Sequence, residues 1–157
     1  MNTKLKSKKV ENNKSDNHPT ANAHELALFV IFESGRQNIA DTPGSNKMNP
    51  GIEFLKKAHS VWDDIHFIDG YPGKFVILAR RKGNDWFIAV INSDTACEVT
   101  INTDFIKPGQ YRIKLYSDGP DKNILVNKDF LLDTFNPFKI TMAVNGGFCA
   151  KIADSAK

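Results

Sequence analysis

Apolar positions along this chain follow two different rhythms. Residues 75–79 and 86–91 are unbroken apolar runs of strand length, rich in β-branched and aromatic side chains, and the segment 80–85 between them carries charge and turn-forming residues. This predicts a hairpin within residues 69–94. Strands without strict alternation are covered on both faces, so other elements must pack on each side of it. The strands that follow supply one cover, and the helical stretch before it supplies part of the other.

Beyond the hairpin the rhythm is that of short antiparallel strands. Alternation and apolar runs mark strands at 98–102, 110–116, 128–132, 139–144 and 148–152, with turns at 104–106, at Pro108-Gly109 and at 117–121. Asn145-Gly146-Gly147 reads as a hairpin turn between the last two. With the central pair, these seven strands argue a mainly β protein, an antiparallel β-sandwich.

Before residue 69 the reading is mixed. Residues 23–34, AHELALFVIFES, are apolar around most of a helical circumference; Asn22 and Glu25 match a capping box, and Gly35 stands where a left-handed terminator belongs. Phe29, Val30, Ile31 and Phe32 suit a buried strand as well, but the two caps favour a helix. Such a helix needs cover on nearly every side, and a short chain lacks the surface to give it. A short strand at 35–41, a helix at 50–58 with Asn49 as N-cap and Pro50 in its first position, and a strand at 61–68 follow. Helix, strand, helix, strand is the order of a parallel α/β layout.

Charge adds little to this picture. Of the net +3, the whole excess lies in residues 1–19, where Lys4, Lys6, Lys8, Lys9 and Lys14 face Glu11 and Asp16. That segment has too few apolar residues to offset the entropy of ordering, which predicts a solvated, disordered tail. The rest is balanced, so no basic stripe for nucleic acid is expected, and no run approaches the roughly 20 apolar residues of a membrane helix. The tail is not followed by an apolar signal segment, so the chain as written reads as cytoplasmic.

Candidate chemistry is sparse. Cys97 and Cys149 read as thiols packed as small hydrophobes rather than as a bridge, and the histidines have no metal-site spacing. No nucleophile elbow, phosphate loop or dinucleotide fingerprint is present. Glu33, Asp41, Asp63 and Asp64 are the carboxylates a glycosidase reading would consider. Asp63 and Asp64 are adjacent in a strand and point to opposite faces, so they do not act as a pair.

Residues 23–34, then Gln37, Ala40-Asp41, Val61-Trp62-Asp63-Asp64, Asp69-Gly70-Tyr71-Pro72-Gly73-Lys74 and Ala79-Arg80-Arg81-Lys82-Gly83 with Trp86, in this order and spacing, resemble the C-terminal end of glycoside hydrolase family 97. The resemblance covers about residues 22–153. It implies kinship with α-glucosidases and α-galactosidases that are typically exported and are built from an N-terminal β-sandwich, a (β/α)8 catalytic barrel and a C-terminal β-sandwich. Residues 1–21 would then be a tail, 22–68 a remnant of the last barrel helices and strands, 69–153 the C-terminal sandwich, and 154–157 a second tail.

The family's catalytic carboxylates and calcium ligands lie upstream of this region. The resemblance therefore assigns no catalytic or metal residue here, expects no cofactor in this chain, and implies that the chain alone is inactive. Gln37 and Asp41, at the C-terminal end of what would be a barrel strand, are the two candidates for lining a substrate cleft. Gly35 and Arg36 depart from the Pro and Leu often found before the family's Gln.

The expected function is a truncated, non-catalytic accessory or oligomerisation domain. Its partners would be a second copy or the missing catalytic portion, with an α-linked glucan or galactoside as a further candidate. The alternative is a free-standing carbohydrate-binding module whose rings are drawn from Trp62, Tyr71, Trp86, Tyr111 and Tyr116.

Overall fold

A computed structural model describes residues 19–38, 50–93 and 95–154. Helix α1 spans Asn22–Ile31 and a single turn, α2, spans Ile52–Leu55. Eight strands follow: β1 Asp64–Tyr71, β2 Phe75–Lys82, β3 Asp85–Asn92, β4 Cys97–Ile101, β5 Gln110–Asp118, β6 Leu125–Asp133, β7 Phe138–Met142 and β8 Gly147–Asp154. Six of them form one sheet in the order β1-β2-β3-β8-β5-β6, and β4 pairs with β7 in a second. Every pairing among the described residues is antiparallel.

The two faces of the large sheet bury two separate cores. Ile77, Ala79, Ile88, Val90, Ile113, Phe148 and Ile152 face the β4-β7 pair, which contributes Val99, Ile101 and Met142. On the opposite face Phe87, Ala89, Tyr116 and Cys149 meet Ala23, Leu26, Ala27 and Val30 of α1 and Phe54 of α2. The central hairpin is thus covered on both sides, as its unalternating runs require. Later strands form one cover and the preceding helices the other.

Several expected details differ. Arg80, Arg81 and Lys82 continue β2, and the turn contracts to Gly83-Asn84 with Gly83 at φ 58°. The 61–68 strand begins at Asp64 and runs to Tyr71, so the boundary expected at residue 68 falls inside β1. Its connection to β2 is the tight turn at Pro72-Gly73, where Gly73 has φ 75°. A turn of that length closes only an antiparallel pair, since a parallel one needs a crossover of a dozen or more residues, and this overturns the parallel layout. The strand expected at 35–41 is absent over 35–38, and residues 39–41 lie outside the described residues.

The 50–58 helix shrinks to one turn behind Gly51, with Pro50 in the turn before it, while Asn49 lies outside the described residues. Asn145 does adopt the left-handed conformation, at φ 53°, but the strands it joins enter different sheets. The reason lies in their burial. β8 is apolar toward both cores and takes a central place between β3 and β5, whereas β7 turns alternate residues inward and suits an outer layer.

The start of α1 is also secured differently. Ala21, not Asn22, is the N-cap, and it makes no side-chain bond. Asn22 instead donates through Nδ2 to the Asn123 carbonyl at 2.7 Å, and its N–H goes to the Lys122 carbonyl at 2.8 Å. Thr20 donates its hydroxyl to the Glu25 carboxylate. Gly35 is not the terminator, because the helix already ends at Phe32, whose backbone is extended.

Candidate interaction surface

The sheet buries one stripe of α1, at Ala23, Leu26, Ala27 and Val30, which is the i, i+3, i+4, i+7 spacing of a single face. The other side of the helix remains apolar. Leu28 and Phe29 are half-buried and Phe32 is 59% exposed. With Glu25, Ser34, Arg36, Gln37 and Asn38 they line an open depression of about 290 Å³. The circumference that predicted a shortage of cover is only partly covered on this side by the described residues.

The C-terminal end of α1 is held by two side chains from outside it. Gln37 donates through Nε2 to the carbonyls of Phe29 at 2.9 Å and Phe32 at 3.3 Å, satisfying acceptors that a helix end leaves open. Arg80 is 4% exposed and donates through Nη2 to the Ile31 carbonyl at 3.2 Å. A cation at this end also opposes the negative pole of the helix. The Arg80 Nε has no hydrogen-bond partner among the described residues.

A second apolar hollow, of about 470 Å³, lies where the β1-β2 turn meets the start of α1. Phe67, Tyr71, Phe75, Val76 and Ile91 wall it, and His24 enters from the helix with Nδ1 at 3.2 Å from the Gly146 carbonyl. Phe67 and Tyr71 are 60% and 61% exposed, and Ile65 extends the apolar row along β1.

The carboxylates considered for catalysis are placed apart. Asp63 accepts Lys82 Nζ at 2.8 Å and the Gly83 N–H at 2.7 Å, and these bonds hold its carboxyl below the ordinary range. Asp64 accepts its neighbour's N–H from Ile65 and pairs with Arg81 at 3.7 Å. Glu33 is exposed, and Asp41 lies outside the described residues. Asp63 and Asp64 fasten the start of β1 to the β2-β3 turn, and no cleft joins them. Gln37 likewise serves α1, a local task the sequence signalled only as a polar residue after an apolar helix.

The rings proposed for sugar stacking are mostly structural. Trp86 and Tyr116 are 8% and 1% exposed, and Trp62 packs edge-on to Phe87 with centroids 5.1 Å apart. Tyr111 donates its hydroxyl to the Lys107 carbonyl at 3.1 Å. Tyr71 is the open ring of the five, with the Lys74 ammonium 4.9 Å from its centre. Both cysteines are thiols: Cys149 is fully buried, which drives its pKa well up, and Cys97 is half-buried.

Comparison with known proteins gives a consistent result. A family model described as glycosyl-hydrolase 97 C-terminal, oligomerisation, matches residues 61–153. A retaining alpha-galactosidase of Bacteroides thetaiotaomicron is 30% identical over 134 residues, which are 82% of this chain and 20% of that protein. A probable retaining alpha-galactosidase of Streptomyces bingchenggensis is 33% identical over 133 residues, again 20% of its length. The chain thus spans about one fifth of the length of these curated relatives. Among solved structures, a glycoside hydrolase family 97 enzyme from Pseudoalteromonas sp. in complex with acarbose superposes with a TM-score of 0.81 at 27% identity, covering 87% of this chain and 23% of that one. A beta-arabinopyranosidase gives 0.74 at 26% identity, with 85% and 21% covered.

Proposed function

The chain belongs to the glycoside hydrolase 97 C-terminal family, and from that premise we propose that it acts as a non-catalytic accessory and oligomerisation domain of an α-galactosidase-like or α-glucosidase-like enzyme. The observation that carries this reading is the apolar outer side of α1. A helix apolar around most of its circumference, buried along one stripe, half-buried at Leu28 and Phe29 and exposed at Phe32, is built to sit between two bodies. The sheet is one of them. The catalytic portion is the other.

The chemistry of the chain agrees. Asp63, Asp64 and Glu53 are tied to lysines, an arginine and backbone N–H groups at the surface, and Asp63 and Asp64 flank no shared cleft. The calcium that the resemblance attaches to whole relatives is assigned in this reading to the catalytic portion upstream of this region. Substrate specificity then belongs to the catalytic portion, while this domain covers its flank and joins copies.

The test combines two measurements on the purified chain. Aryl α-galactoside and α-glucoside, with calcium present, are expected to remain unhydrolysed while sedimentation shows self-association. Turnover abolished by replacing Glu33, Asp41, Asp63 or Asp64 would overturn the non-catalytic reading. A monomer at every concentration would overturn the oligomerisation reading.

A further inference from the structure

The large sheet ends in two edges, β1 and β6, five strand spacings apart, or about 24 Å at about 4.8 Å each. They are not equivalent. β1 carries a register shift between Phe67 and Asp69, and one of its faces is partly covered, with His66 stacked on Phe105 at 4.5 Å. Its exposed Ile65 and Phe67, opposite Arg80 and Leu78, also lie on the α1 side of the sheet, the flank assigned above to the catalytic portion.

β6 pairs with β5 over nine residues without a shift. Its five central residues, Asn127, Lys128, Asp129, Phe130 and Leu131, are all exposed, and among the described residues the ring contact on this stretch is that of Phe138 with the 38% exposed Phe130. Leu131 is 63% exposed and Phe135, just beyond the strand, 74%. Proteins blunt a long, regular edge with a bulge, a proline or charged side chains; β6 has neither bulge nor proline, and its charges, Lys128 and Asp129, stand beside the exposed apolar pair Phe130 and Leu131.

We propose that β6 is the surface through which two copies of this chain associate, by antiparallel pairing of their β6 edges about a two-fold axis at Phe130. This rests on the oligomerisation reading and assigns it a place. A two-fold perpendicular to the sheet pairs residues of like parity, because each copy presents the same peptide groups outward. Centred on Phe130, it sets Phe130 against its own copy, Asp129 against Leu131, Lys128 against Leu132 and Asn127 against Asp133. No two like charges stand directly opposed. Centring on Lys128, Asp129 or Leu131 opposes Lys to Lys or Asp to Asp, which disfavours those registers. The Phe130 ring, edge-on to Phe138 at 6.3 Å, is already positioned by β7.

Charge at the axis provides the test. Full chains carrying Phe130→Lys or Phe130→Glu place like charges opposite one another, and each should dissociate at least tenfold more readily than the parent in sedimentation equilibrium. Mixing the two should restore association, which a folding defect would not do. Phe67→Lys on β1 serves as the control and should leave self-association unchanged. If the parent associates and both Phe130 variants associate equally well, or if only Phe67→Lys dissociates it, the β6 assignment is overturned while the oligomerisation reading stands. If the parent is monomeric throughout, the oligomerisation reading falls and the assignment with it.

Discussion

The carboxylate of Asp118, at the end of β5, accepts the backbone N–H of Gly147, the first residue of β8, at 2.9 Å. Its Oδ1 is buried with no hydrogen-bond partner among the described residues, and the nearby backbone N–H groups of Ala23 in the first turn of α1 and Ala143 after β7 favour its charged form. One acid therefore sits between the helix start and the connection between the two sheets. It lies toward the positive pole of a helix whose N-cap, Ala21, has no capping side chain.

Burial outweighs the Gly147 bond and these nearby N–H groups and raises the Asp118 pKa above its ordinary 3.8. A raised folded-state pKa means that the native protein holds the proton more tightly than the unfolded chain. The contribution of this group is then fully present at low pH and is lost as pH rises through the folded value. Asp118→Asn removes this dependence. Urea midpoints measured from pH 3 to 7 should show the parent losing stability relative to the variant as pH rises.

Gly147 stands where helix and sheet approach closely. A Cβ there would lie 2.5 Å from the Val90 carbonyl oxygen and 3.0 Å from the His24 Cα, both backbone atoms that cannot swing aside. Gly147→Ala should cost about 1–3 kcal/mol by overpacking, read from chemical denaturation. Gly35, with open space around it, should accept alanine with little change.

Phe54 is the anchor of α2. It is 1% exposed and lies edge-on to Phe87 and Tyr116, with centroids 5.9 and 5.7 Å away. Phe54→Ala should cost about 3–5 kcal/mol. Since Glu53 in the same turn pairs with Lys114 of β5 at 2.5 Å, hydrogen exchange in residues 50–58 should rise along with the global loss.

Gln37→Ala should loosen the last turn of α1, costing about 0.5–1.5 kcal/mol through its lost hydrogen bonds. Hydrogen exchange at Ile31 and Phe32 is the direct readout. Gln37→Glu, which keeps the acceptor but loses the amide donor, should behave like the alanine variant.

How much of this was legible beforehand depends on the range of the forces involved. The hairpin of β2 and β3, covered on both faces, could be read from residues 75–79 and 86–91 because apolar burial acts on each residue where it stands. The partly covered flank of α1 followed in the same way from Leu28, Phe29 and Phe32. Strand positions from 97 to 154 were close, since alternation and turn residues are local signals.

Partner choice was another matter. Asn145-Gly146 signals a reversal of the chain but not which strand the reversed segment joins, and β8 went to β3 and β5 because only a central place covers both its faces. The capping box at Asn22 and Glu25 was a sound local pattern, but Asn22 donates instead to the carbonyls of Lys122 and Asn123, about a hundred residues later in the chain. Gln37 as a helix cap and β6 as an open edge likewise exist only once the sheet is assembled. The sequence by itself determined which residues must leave water and where the chain turns, because those energies belong to single residues and their near neighbours. Which distant groups meet, and which strand is left at the edge, was decided by the tertiary structure, because hydrogen bonds and strand pairing depend on contacts that exist only after the layers close.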